Sequence, residues 1–415
     1  MLRVPLMLPR LRMNLDFAPS PLEEQPGLMI RDPLQFSDTT LVIPPALIEC
    51  LEFFDGQHSG LDLRAHLVRI TGDLNAGDIE THLTTALSQA HFLEDETYME
   101  RRVLCETAFA AAPIRVPAHA GAGYPEDAGE LRETLEQYLL GQNLSDRPET
   151  PSQEGRVLAI AAPHVSPFGG VDAYRAAYSA LSPADADRTF VILGTSHYGQ
   201  SSRLGLTRKP FITPYGEALT DAGLVDELER GLGSAAVMED YCHAIEHSVE
   251  FQVVFLQHLF GPNIRILPVL CGSYGKSIYE GGLPEDDEDV RRILGTLGDI
   301  AAREQKRLVW VLGVDMAHKG RRYGDQMTAI AGQDGMASVE RRDRARIERM
   351  ESGDARGFWE LVQEGHDDLN WCGSAPIYTF LKAVPQARGK LLHYQQWNID
   401  DASVVSFAGA RFHSQ

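Results

Sequence analysis

RVLAIAAPHVSPFGG (156–170) is the stretch on which the reading of this chain turns. Val157 to Ala162 form an unbroken apolar run of strand length, as expected for a strand buried on both faces. The run stops at Pro163-His164 and gives way to a loop rich in Gly and Pro. A second stretch, RTFVILGTSHYG (188–199), repeats the arrangement, with a strand over 189–194 followed by Ser196 and His197. Between the strands, Val171, Tyr174, Ala177 and Tyr178 share one face of a helical pattern over 171–181. The interval of about 30 residues is that of a right-handed βαβ crossover, so the two strands are expected to be parallel and adjacent.

The alternation continues. A helix over 248–260 carries Val249, Val253, Leu256 and Phe260 at helical spacing; strands over 264–270 and 308–313 follow. This predicts the fold class α/β, with a mostly parallel central sheet flanked by helices on both faces. Sites in such sheets form beyond the carboxyl ends of the strands. There the chain places His164, then Ser196 and His197, then Cys271, then Asp315 and His318. HAIEHS (243–248) sets His243, Glu246 and His247 ahead of an amphipathic helix, and NWCGSAP (370–376) sets Cys372 before Gly373 at a helix start. One histidine after a strand is more often structural than functional. The convergence of several on one rim is what points to a metal or catalytic centre. Imidazole and thiolate ligands suit iron, copper or zinc, and three protein ligands leave a position open for water, oxygen or substrate. On position alone, Cys271 and Cys372 are equal candidates for the thiolate.

Composition narrows the field. The 415 residues are enough for more than one domain, and 38 Lys and Arg against 59 Asp and Glu give a formal charge of −21. Such a surface repels nucleic acid and anionic membrane, and no apolar run is long enough to span a bilayer. Five scattered cysteines fit a reducing cytoplasm. No P-loop, no dinucleotide-binding glycine pattern, no Gly-x-Ser-x-Gly elbow and no His-Glu-x-x-His occurs.

Residues 1–25 read as a poorly ordered leader, basic but broken by Pro and Arg. Residues 26–107 read as a small winged-helix-like α+β domain: a strand and short helix over 39–56, two further helices, and a wing over 91–102. Residues 71–100 hold seven acids and no Lys or Arg, so contact with protein or peptide is expected there rather than with DNA. A linker over 108–118, a helix over 127–141 and a solvated loop over 142–156 lead into the α/β region.

From about 114 onward the chain resembles the Memo family. PAHAGAGYPEDAGELRETLEQYL (117–139) is similar to that family's opening segment, AAPH and ILGTSH to its two histidine motifs, and HAIEHSVEFQVVFLQHLF to its Glu-His-Ser-x-Glu segment. GVDMAH and CGSAPI are similar to its Ser-Ser-Asp-x-x-His and Cys-Gly segments. The resemblance implies, over 119–415, a fold like the catalytic subunit of class III extradiol dioxygenases. It also implies one divalent or redox metal ion, iron or copper before zinc, held by His164, His197 and Cys372. His247 would serve as acid or base with Asp240 and Glu246 in support, and Asp315 and His318 would line the pocket. The expected activity is a dioxygenase-like oxidoreduction of a small molecule or peptide; the rival readings are a peptide- or protein-binding scaffold and a metal-assisted hydrolase. A radical SAM protein is the partner the resemblance implies. The chain departs from the family at Val165-Ser166-Pro167, Phe168-Gly169-Gly170, Tyr198, and Gly313-Val314.

Overall fold

The computed structural model describes residues 7–414 except 23, 74 and 141–155. The solvated loop expected over 142–156 therefore lies, apart from Arg156, outside the described residues. The chain divides into two compact units, Met1–Ala111 and Ala112–Gln415.

Four parallel strands make the centre of the second unit, in the order Val157–Ala162, Leu308–Gly313, Thr189–Thr195, Arg265–Cys271. All four were legible as apolar runs. Their order was not: Leu308–Gly313 lies between the two histidine-bearing strands, which are therefore not neighbours. A long hairpin, Ala387–Asp400 and Ser403–Ser414, adds to one side by antiparallel pairing of its second strand with Val157–Ala162. On the other side Leu204–Leu206 pairs antiparallel with Arg265–Cys271. The sheet is thus mixed, parallel at its centre and antiparallel beside it.

Alternating side chains fill two layers. Ile160, Ile192, Ile266 and Val311 pack against helices Ala128–Tyr138, Val171–Tyr178 and His247–Phe260. Val191, Leu193, Val269 and Leu312 pack against Ala222–Leu232, Glu288–Glu304, Ala355–Gln363 and Ser374–Ala383. Each such buried side chain contributes roughly 1.5–3 kcal/mol. Phe255 of the first layer stacks on both Tyr174 and Tyr178, at centroid separations of 4.4 and 5.0 Å. No helix among the described residues is long and apolar enough to cross a membrane.

In the first unit, strands Asp16–Pro19, Leu28–Arg31 and Leu41–Ile43 form an antiparallel sheet ahead of helices Gly60–Thr71, Gly77–Gln89 and Glu96–Ala111. The wing expected over 91–102 is absent. Asp95 accepts from the Tyr98 backbone N–H at 3.0 Å and starts the third helix, leaving Leu93 with one isolated bridge to Leu11. Nor is the described part of the leader loose. Leu8 and Leu15 are buried, and Arg12 makes a two-pronged, buried ion pair with Asp32 at 2.8 and 2.9 Å. The linker expected over 108–118 is also shorter. Its first four residues complete the Glu96–Ala111 helix, and Arg115 is buried within the second unit.

Candidate metal centre

The candidate residues follow the carboxyl ends of the parallel strands. Ala162, Gly313 and Gly194 stand level in three neighbouring strands, and His164, Asp315 and His197 follow them. Strands two apart in a sheet are separated by about 9.6 Å. The rings of His164 and His197 nevertheless approach to 5.1 Å between centroids.

Glycines make the crowding possible. A Cβ on Gly194 would lie 2.5 Å from Ser248 Oγ, and one on Gly313 would lie 2.2 Å from the Ser248 carbonyl oxygen. The start of the His247–Phe260 helix therefore rests directly on two strand ends, which brings His247 within 5.1 Å of His164 and 5.2 Å of His197 between centroids. Gly373 does the equivalent for Cys372. Its Cβ would lie 2.7 Å from the Asp315 carbonyl oxygen, and its N–H donates to that oxygen at 3.1 Å.

The donor atoms of His164, His197 and His247 all lie within 4.8 Å of one another. Cys372 Sγ is 3.3 Å from His164 Nε2. That spacing is what two ligands of a single ion adopt with bonds of about 2.1 and 2.3 Å. Each ring is held from behind. His164 Nδ1 meets the Gly313 carbonyl at 2.9 Å, and the His164 backbone N–H donates to Asp315 at 2.9 Å. His197 Nδ1 meets Glu246 at 3.0 Å, and His247 Nδ1 lies 3.2 Å from the same carboxylate. Glu246 also accepts the backbone N–H groups of His197, His247 and Ser248, and so caps the helix it precedes. Nitrogens anchored in this way leave Nε2 of His164 and His197 free for a metal.

Electrostatics follow from the packing. Burial would raise the Cys372 thiol, but the adjacent His164 and His197 outweigh it and bring it down to about 7. Burial disfavours charge on His197, yet Glu246 holds its pKa well above the ordinary value; Glu246 is correspondingly held well below the carboxylate range. Burial and the neighbouring imidazoles push His247 well down, so it is neutral near pH 7. Burial raises Asp315 to about 6, and its carboxylate lies 3.6 Å from His164 Nε2.

The other expected residues sort clearly. His318 sits beside Asp315, with Nδ1 on the Met316 and Asn370 carbonyls at 2.9 and 3.1 Å, and burial lowers its pKa. Asp240 is not one of the three clustered donors; it accepts from the Cys242 N–H at 3.0 Å and packs on Gly205. Cys271 is buried, its thiol bonded to Thr379 and pushed up to about 12 by burial. The sequence reading made His247 an acid or base; the geometry sets its donor atom among those of the other two histidines. It also overlooked Glu250 of the same helix. Glu250 pairs with buried Arg115 and Tyr124 and accepts the Ala118 and His119 backbone N–H groups at 3.1 and 3.0 Å, which straps residues 115–124 beside the site. The signal was present, as Glu250 stands one helical turn after Glu246.

His197 and His247 keep about a third of their side-chain surface open (27% and 32%), so the cluster faces solvent on one side. A separate cavity of about 650 Å³, lined by Lys319, Asp325, Met327, Ile330, Met336 and Val339, includes none of the cluster residues.

A family model described as Memo-like protein matches residues 115–411. A MEMO1 family protein of Aquifex aeolicus is 25% identical over 389 residues, covering 93% of this chain and 96% of its own length. That share takes in most of the first unit. MEMO1 family protein TK1477 of Thermococcus kodakarensis is 32% identical over 292 residues, 68% of this chain and 92% of its own. MEMO1 family protein MK0963 of Methanopyrus kandleri is 29% identical over 311 residues, 72% and 98%.

Proposed function

We propose, from the premise that this chain belongs to the Memo-like protein family, that its second unit is a metal-dependent oxidoreductase. The observation that carries the reading is the meeting of three imidazole donors within 4.8 Å, with Cys372 Sγ 3.3 Å from one of them. His164, His197 and Cys372 would hold the ion, with His247 on the solvent side as a fourth ligand or as the base. The donor set of neutral imidazoles and one thiolate fits iron or copper and also accepts zinc. A redox-capable ion held there would supply electron transfer and Lewis-acid polarisation.

The protein's own residues have defined tasks in this reading. Gly313 and Glu246 fix the ring orientations of His164 and His197. The pKa of Cys372, brought down to about 7, leaves a substantial share of its sulfur deprotonated at neutrality and ready to coordinate. His247, neutral and partly exposed, can accept a proton from a substrate entering on the open side. Asp315 titrates close to the same range and can take up a proton against His164. Tyr198, 40% exposed and beside His197, gives the mouth an aromatic wall.

Metal analysis of anaerobically purified protein tests the reading, alongside oxygen uptake with catechols, thiols and peptides. One iron or copper per chain is expected, lost in His164→Ala and Cys372→Ala, with uptake that depends on the metal. Fully loaded protein that consumes no oxygen with any of these substrates would defeat the oxidoreductase assignment.

A further inference from the structure

We propose that Asp343, a residue of the Asp334–Ser352 helix, is the positioning residue that holds Cys372 in register with the imidazoles. This rests on the metal-site reading given above. The Asp343 carboxylate is fully buried and accepts three hydrogen bonds: Trp371 Nε1 at 2.7 Å, Tyr394 Oη at 2.8 Å and Ser406 Oγ at 2.6 Å. Trp371 immediately precedes Cys372. Its backbone N–H donates to Asp367 at 3.0 Å, and the Arg346 guanidinium lies 5.1 Å from its ring centroid. The residue before the thiol is therefore held at its indole, at its backbone and over its face.

The second arm reaches the opposite wall of the site. Ser406 Oγ accepts the Ala317 N–H at 2.8 Å, and the Ser406 backbone pairs with Met316 and Ala317, the residues directly after Asp315. One buried carboxylate thus ties the turn that carries Cys372 to the strand extension that carries Asp315. Three donors converge on it, and Trp371 can only donate. An amide in its place turns an N–H toward at least one of them. Asp343 does not itself touch the imidazoles or the sulfur, so it acts through Trp371.

Cobalt(II) titration of the full chain reads this out, because a thiolate ligand gives a sulfur-to-cobalt charge-transfer band. In Asp343→Asn, affinity should fall on the order of 10–100-fold, as for other groups that brace a metal ligand, and the band should weaken. Trp371→Phe, which keeps the ring but removes the donor, should do the same. The two together should lose little more than either alone. Leu297→Ala, in the buried core of the Glu288–Glu304 helix, is the control: it should lower Tm and leave affinity and band unchanged. Wild-type affinity and band in Trp371→Phe would overturn the proposal even if Asp343→Asn fails to fold, as would an equal change in Leu297→Ala. Absence of any thiolate band in the wild type would instead defeat the underlying metal-site reading.

Discussion

Replacing Gly373 with alanine adds one methyl group where the structure leaves no room for it. The backbone there has φ −77°, which any residue adopts, so the cost is contact alone. The new Cβ would lie 2.7 Å from the Asp315 carbonyl oxygen and 2.7 Å from Val314 Cβ. Carbon atoms at rest stand about 3.5 Å apart or more, so the turn must retreat by roughly 0.8 Å. That movement lengthens the 3.1 Å Gly373–Asp315 hydrogen bond past any useful distance and carries Cys372 with it. Metal–ligand distances tolerate only about 0.2 Å. Overpacking of this kind costs about 1–3 kcal/mol, offset by about 0.4–1 kcal/mol for the stiffer unfolded chain. Gly373→Ala should therefore fold with a modest loss in urea denaturation and bind metal at least tenfold more weakly. Isothermal titration with zinc or anaerobic ferrous ion measures this directly. Wild-type metal affinity in Gly373→Ala would show that the close approach of the Cys372 turn does not build the site.

Four further outcomes are expected. Metal affinity should climb as pH rises through about 7 and go on climbing above it, because the Cys372 sulfur and then His197, whose pKa Glu246 holds well above the ordinary value, must each release a proton to bind. His164→Ala should move the thiolate absorbance transition of the metal-free protein to higher pH, since a neighbour that favours the thiolate is gone. Glu246→Gln should weaken metal binding about 10–100-fold and lower stability by about 1 kcal/mol, read by titration and urea denaturation, because one carboxylate both orients His197 and caps the His247–Phe260 helix. Arg115→Ala should cost about 3–5 kcal/mol, because it leaves Glu250 charged and buried without its partner; Arg115→Met with Glu250→Leu should cost far less in the same denaturation assay.

Much of the site was legible because its chemistry sits in distinctive side chains at strand ends. Val157–Ala162 and Thr189–Thr195 announce themselves as buried strands, and His164 and His197 stand where such strands deliver their residues. What the sequence hid is carried by residues without distinctive chemistry. Gly194, Gly313 and Gly373 read as ordinary small residues, yet they set how closely helix and turn approach the strands. The insertion of Leu308–Gly313 between the two histidine strands is a long-range pairing that no local pattern encodes. Asp240 came from the resemblance alone; its carboxylate meets the Cys242 N–H and packs on Gly205. The wing was misread because Phe92 and Leu93 look like strand residues, whereas Asp95 is a helix cap. The leader was expected to be poorly ordered, whereas its Arg12 is buried on Asp32, twenty residues away.

X-ray absorption at the metal edge of the anaerobically loaded wild-type protein tests the central claim most directly. One ion per chain surrounded by imidazole nitrogens and a single sulfur, with the sulfur contribution gone in Cys372→Ser, is the predicted result. A coordination shell of nitrogen and oxygen alone, unchanged in Cys372→Ser, would contradict it.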